Sequence, residues 1–341
     1  MTLPRVRGLH LTPDVFAVVM ATGILSVAAG DHSYTPINLV LAGLAAIVFV
    51  LLCLIGLLRL VTAPAALFAK AREPDVALRL FTFVAACTVL GARFHTHRSV
   101  TWLLATAAAI GWLILVPLAV ADVRSRPRAD LREHAHGAWL LSSVATAGLA
   151  ITAADLATHT RWGGWVVLST AGLVLSLVLY LLTTWLIGRR AVTTPIGADD
   201  VTPDTWILMG TLATNALAGV RLRGALRAKA VAPWLAAAMH PVILVLWVGA
   251  SAWIPVLLSA EIWRLYRRPD SVHFAGVWWS AVFPLGMYST ATQATAQALH
   301  LAALTTVSLI AFWVGFSLWV LVAAGFVHST VRTASGEPRR S

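Results

Sequence analysis

Charge is scarce in this sequence. Asp, Glu, Lys and Arg make up 11% of its 341 residues, against roughly 25% in ordinary soluble domains. Hydrophobic residues make up 59%, more than a soluble fold of this length can hide. A soluble globular enzyme and a disordered chain are excluded on these grounds. Cysteine is nearly absent: Cys53 and Cys87 both sit inside apolar runs, so there is no disulfide framework and no Cys-based metal spacing. No Gly-rich phosphate loop follows a strand, which excludes an ATP-driven pump within this chain. His240 alone lies within an apolar run, near its end, so a haem held between two intramembrane histidines is excluded. His95-x-His97 and His134-x-His136 fall in loops without Cys partners and read as ordinary loop histidines. No cofactor, metal or catalytic group is expected, and the chain is not read as an enzyme.

The apolar runs themselves are the dominant feature. Mean hydropathy is +0.82, and runs near 20 residues recur, the length of a membrane-spanning helix. Ten segments stand out, at approximately 14–29, 37–58, 78–92, 99–121, 138–154, 164–187, 205–220, 236–263, 277–298 and 302–327. All must be helices, because an open sheet leaves its backbone unsatisfied in lipid. The expected fold is therefore an all-α polytopic membrane protein forming one integral domain, with short cytoplasmic tails at 1–11 and 328–341. Acidic and basic side chains avoid the middle of the runs, with Glu261 coming nearest. Proton relays place ionisable groups there, so strong proton coupling through mid-membrane groups is not expected.

The odd-numbered segments are shorter and richer in Gly, Ser and Thr than the even ones. Small and polar residues within a span face other helices or a cavity, so the odd segments read as central and the even as peripheral. The odd segments start roughly every 60–73 residues, a period that suggests five repeated helical hairpins. Three starts share a signature: Thr12-Pro13-Asp14, Glu73-Pro74-Asp75 and Thr202-Pro203-Asp204. Thr caps a helix, Pro suits its first position and Asp complements the positive end of the dipole.

The net charge of +11 is explained by topology rather than by nucleic acid. With alternating spans and the N-terminus inside, 18 of the 25 basic residues fall on the inner side. That bias puts both termini in the cytoplasm of an inner-membrane protein. One loop dissents: Arg221, Arg223, Arg227 and Lys229 fall outside, and read either as an outer mouth attractive to anions or as a stretch facing headgroups. No helix has the Arg-rich pattern of a voltage sensor. Trp102, Trp162, Trp165, Trp263 and Trp278 lie near run ends and read as interface anchors.

The polar residues left inside the runs are neutral: Thr22 and Ser26, then Ser142, Ser143 and Thr146, then Thr211, Thr214 and Asn215. The ninth run is richest. Phe283, Gly286, Thr290, Gln293 and Gln297 fall within an arc of about 80° on a helix. Such a stripe reads either as a packing interface stitched by Thr and Gln or as the lining of a neutral polar pore, whose dipoles hold an anion weakly enough to release it. Pro284 lies inside this helix, where it removes a donor and disturbs Phe283. If the stripe lines a pore, the ring is a hydrophobic plug.

The opening Pro13-Asp14-Val15-Phe16-Ala17-Val18-Val19-Met20-Ala21-Thr22-Gly23 and the run Trp278-Trp279-Ser280-Ala281-Val282-Phe283-Pro284-Leu285-Gly286-Met287-Tyr288 resemble the tellurite-resistance/C4-dicarboxylate transporter family, which includes plant slow-type anion channels. The resemblance covers roughly residues 10–330. It implies five hairpins in a quasi-fivefold arrangement, with a pore lined by the odd helices. Phe283 would be the gate and Pro284 the kink beside it. It implies a homotrimer passing chloride, nitrate or C4-dicarboxylates such as malate, with tellurite resistance in some members. A proton-coupled dicarboxylate exporter is the alternative. The long soluble N-terminal region of the plant channels has no counterpart in the sequence. Candidate pore-lining residues are Thr22, Ser26, Ser142, Thr146, Thr211, Thr214, Gly286, Thr290 and Gln293. Candidate mouth charges are Arg221, Arg223 and Arg227.

Overall fold

The computed structural model describes residues 13–71, 73, 75–127, 136–194, 197–268 and 276–334. They are helical throughout, apart from turns. The long helices are α1 (Ala17–Asp31), α2 (Thr35–Thr62), α3 (Val76–Arg93), α4 (Arg98–Ser125), α5 (Leu141–His159), α6 (Gly164–Thr193), α7 (Ile207–Ala228), α8 (Pro233–Arg267), α9 (Trp279–Leu299) and α10 (Ala303–Ala334). A short helix, Pro64–Ala71, follows α2. Single 3-10 turns at Gly137–Leu140, Pro203–Trp206 and Gly276–Trp278 lead into α5, α7 and α9.

Among the described residues, seven helices are long and apolar enough to cross a membrane by themselves: α2, α3, α4, α6, α8, α10 and α5 with its leading turn. The three that fall short have identifiable reasons. α1 has 15 residues. α7 ends in arginines and α9 is rich in Thr, Ser and Gln. All three are largely buried by the other helices, which removes the need for an apolar surface of their own. Burial separates the two sets as the Gly, Ser and Thr content suggested. The most apolar window of α3 is 72% buried, that of α2 only 17%. Leu39, Ile47, Leu103 and Val167 on the outer helices are exposed, as expected of a surface that lipid covers.

Each odd helix packs on its even partner. The odd helices also pack on one another, α1 on α3, α3 on α5, α5 on α7, α7 on α9, and α9 on α1. Polar side chains stitch these layers. Within hairpins, Ser143 and Ser176 each donate to the other's backbone carbonyl, and so do Ser289 and Ser308. Between hairpins, an indole from an even helix donates to a threonine of an odd helix in a neighbouring hairpin. Trp112 reaches Thr146, Trp247 reaches Thr292 and Trp319 reaches Thr22, each at 2.9 Å. A neutral bond of this kind contributes about 0.5–1.5 kcal/mol net.

The helix starts differ from the capping expectation. Thr12 and Pro74 lie outside the described residues. The Thr202 hydroxyl donates to the Asp204 carboxylate rather than to a backbone amide. The aspartates reach across to other segments instead. Asp14 lies 3.8 Å from Arg79 on α3. Asp75 accepts from the Trp139 indole at 2.9 Å and from Arg126 at 3.0 Å. The buried Asp204 accepts from the Ala138 amide at 3.0 Å. Gly137 is required beside it, since a Cβ there would strike the Asp204 carbonyl.

At the other end, the turns after α1, α7 and α9 share one geometry. Ser33, Ala230 and His300 adopt positive φ of 63°, 52° and 57°. The next amide bonds back to Ala29, Leu226 or Ala296. This is the Schellman closure, here without its usual glycine. Two boundary expectations are corrected. The stretch containing Arg221, Arg223 and Arg227 is not a loop: α7 runs on to Ala228, because Arg, Leu and Ala are strong helix formers that one Gly224 does not interrupt. Likewise α10 continues past 327 to Ala334.

Candidate functional site

The odd helices are parallel, so their ends gather at two levels. Each level holds a cavity. The upper one, about 670 Å³, is lined by the C-terminal ends of all five odd helices: Asp31, Arg93, Asp155, Arg221, Arg223, Arg227, Thr290, Gln293 and Gln297 among others. The lower one, about 280 Å³, lies at their N-terminal ends and is lined by Asp14, Arg79, His136, Arg190, Asp204 and Ser280 among others.

The charges at each level follow from the helices. Five parallel C-termini present partial negative charge and attract cations; N-termini do the reverse. The upper cavity accordingly holds four arginines against two aspartates. The lower cavity holds Asp14, Asp200 and Asp204 with Arg79 and Arg190. The upper cavity is therefore mixed in charge rather than purely basic. Arg221 lies 3.8 Å from Asp155, and Arg93 donates to the Ser26 hydroxyl at 2.8 Å.

α9 connects the two levels. Ser280 lines the lower cavity and Thr290 the upper, so about 15 Å of helix lies between them at 1.5 Å per residue. Phe283 sits in that interval and is 2% exposed. Pro284 packs on α7 at Gly210, where a Cβ would come within 2.9 Å of the Pro284 ring. Gly286 packs on Ile24 and Leu25 of α1, a Cβ there coming to 2.8 Å of Ile24. Thr290 and Gln293 line the upper cavity; the Thr290 hydroxyl faces the Asp31 carboxylate, and Gln293 Oε1 is buried without a hydrogen-bond partner.

The other sequence candidates have their polar atoms engaged. Thr22 and Thr146 accept the indole donors of Trp319 and Trp112. Ser142 and Thr146 donate to Trp139 and Ser142 carbonyls. Thr211 and Thr214 donate back along α7 to Ile207 and Gly210, a common resort of buried hydroxyls in helices. Ser26 donates to the Asn38 carbonyl at 3.0 Å. Sequence reasoning singled out neither Arg93 nor the pair Asp31 and Asp155 as site residues. Each sits at the end of an odd helix, and only the convergence of five such ends brings them together.

A family model described as "Voltage-dependent anion channel" (SLAC1) matches residues 10–327. Two curated relatives from Mycobacterium tuberculosis, "Uncharacterized membrane protein MT1776" of strain CDC 1551 and "Uncharacterized membrane protein Rv1735c" of strain H37Rv, are each 28% identical over 166 residues. The matched stretch covers 48% of this chain and 82% of each relative.

Proposed function

The chain belongs to the SLAC1 family of voltage-dependent anion channels, and from that premise we propose that it is an inner-membrane channel or facilitative transporter for small anions. All ten long helices cross the membrane, and both termini lie in the cytoplasm. The odd helices surround the path in a quasi-fivefold ring and the even helices shield them from lipid. Anions pass between the lower and upper cavities, and the Phe283 ring closes the interval. Candidate cargoes are chloride, nitrate and C4-dicarboxylates such as malate. The family resemblance further suggests a homotrimer in which each protomer has its own path.

One observation carries this reading. Two cavities open at opposite ends of the same five helices, and the helix that joins them has a buried phenylalanine between the residue lining the lower cavity and those lining the upper. The Thr290 hydroxyl and the Gln293 amide, whose oxygen has no partner, stand above the ring. Neutral dipoles of this kind bind a weakly hydrated anion without trapping it. A second reading, proton-coupled dicarboxylate transport, is favoured by Asp31 and Asp155 sharing the upper cavity with arginines.

The test is flux through purified protein in liposomes and planar bilayers. A channel gives a reversal potential that follows the anion gradient and is indifferent to a pH gradient. Accumulation of labelled malate driven by a pH gradient, with no current carried by chloride or nitrate, would replace the channel by the coupled carrier.

A further inference from the structure

The partners of the four arginines in the upper cavity are unequal. Arg93 is held by Ser26. Arg221 lies beside Asp155 and is also the charge that acts on Asp31. Both aspartates of the cavity are thus directed to one arginine. Arg223 and Arg227 remain, four residues apart on α7, where side chains share a face. They are close enough to repel each other, and among the described residues no carboxylate comes within ion-pair distance of either. Arg223 is 8% exposed. One of its terminal nitrogens donates to the Ala298 carbonyl at 2.7 Å, closing the end of α9, while its Nε has no acceptor. Gln293 lines the same cavity with its side-chain oxygen also unpartnered. Turning that amide over presents its NH₂ donors to the same space, an orientation that an acceptor bound there selects.

We propose that this corner of the upper cavity is a binding site for a small divalent oxyanion, a sulfate-like ion or a short dicarboxylate, bridged between Arg223 and Arg227. Three features select that class. Arg223 and Arg227 bring two full positive charges to one face of α7, and among the described residues neither is paired with a carboxylate. Guanidinium groups pair with two oxygens at once, which a halide cannot offer. A bound dianion also relieves the repulsion between like charges one turn apart. The site rests on the reading of the upper cavity as one mouth of an anion path, and it deepens that reading by assigning where a dianion is held while chloride and nitrate pass.

The test is equilibrium binding of labelled sulfate to the purified full-length protein in detergent at low ionic strength, with unlabelled succinate and chloride as competitors. Saturable binding near one ion per chain is expected. Chloride should compete at least about tenfold more weakly than sulfate or succinate; the better of those two identifies the inorganic or the organic ligand. Arg227→Gln, an exposed position, should weaken binding at least about tenfold, the scale of losing a hydrogen bond to a charged group, with an unchanged melting temperature. Arg223→Lys keeps the charge, loses the fork and should weaken binding as well. Arg98→Gln, exposed and outside the cavity, should leave it unchanged. Undiminished binding in Arg227→Gln, or chloride competing as well as sulfate, overturns the site. Because binding is read without transport, a protein that binds sulfate but passes no anion refutes the channel and keeps the site. One that conducts chloride without saturable sulfate binding does the opposite.

Discussion

Phe283→Ala distinguishes a plug from a packing residue. The ring is 2% exposed, so swinging it out of the path forfeits the burial of one phenylalanine, about 1.5–3 kcal/mol. At about 1.4 kcal/mol per factor of ten, a closed resting state held by that burial alone is favoured roughly 10- to 150-fold. Alanine removes both the ring and the barrier, so the macroscopic anion conductance should rise by that factor. A residue that only fills the core behaves differently. Phe→Ala there costs about 3–5 kcal/mol of stability and opens no path. The assay is chloride and nitrate current in planar bilayers at matched protein density, with a melting curve of the same preparation. A conductance gain with a modest loss of melting temperature supports the plug. A large loss of melting temperature with unchanged conductance refutes it, and with it the assignment of the path to the interval between Ser280 and Thr290.

Gly210→Ala places a methyl 2.9–3.0 Å from the Pro284 ring and should force α9 from α7 at a cost of about 1–3 kcal/mol; an unchanged melting temperature would show that the two helices are not held at that spacing. Asp204→Ala strips the Ala138 amide and the Thr202 hydroxyl of their acceptor. It should cost about 1–3 kcal/mol, whereas Thr202→Ala costs less, by the same melting measurement. His32, beyond the end of α1, is held below its ordinary value of 6.5 by burial. The unfolded chain therefore takes up the proton first, and stability should fall as pH drops below about 6.5. Melting temperatures between pH 8 and 5 should fall more for the wild type than for His32→Gln, and parallel curves would remove His32 from the account.

The helices were legible because lipid imposes a simple rule: about 20 apolar residues, backbone satisfied within the segment. The central place of the odd helices followed from their Gly, Ser and Thr content. What failed was local. In the sequence, charge reads as the end of a helix at Arg221, although Arg is a good helix former and the cavity beside α7 accommodates it. The Pro-Asp starts read as caps, but Asp75 and Asp204 bond to the segment before α5. The stripe on α9 was legible in its upper part: Thr290, Gln293 and Gln297 do line a cavity. Thr22 and Thr146 looked equivalent to them in the sequence. Their hydroxyls meet indoles from helices as much as 297 residues away, and no local pattern announces such a partner.

The bond from Trp319 to Thr22 also orders events in time. The first helix is synthesised and inserted long before the tenth exists, so α1 cannot meet its indole until nearly the whole chain has been made. Through that interval the α1 face meant for α9 and α10 has no partner from its own chain. Its small residues and the unmet Thr22 hydroxyl must be covered by lipid, an insertion factor or another protein. Contacts of such sequence separation form late and slowly. Truncated chains lacking α10 should then be recognised as unfinished at α1, the oldest part of the molecule, rather than at the cut.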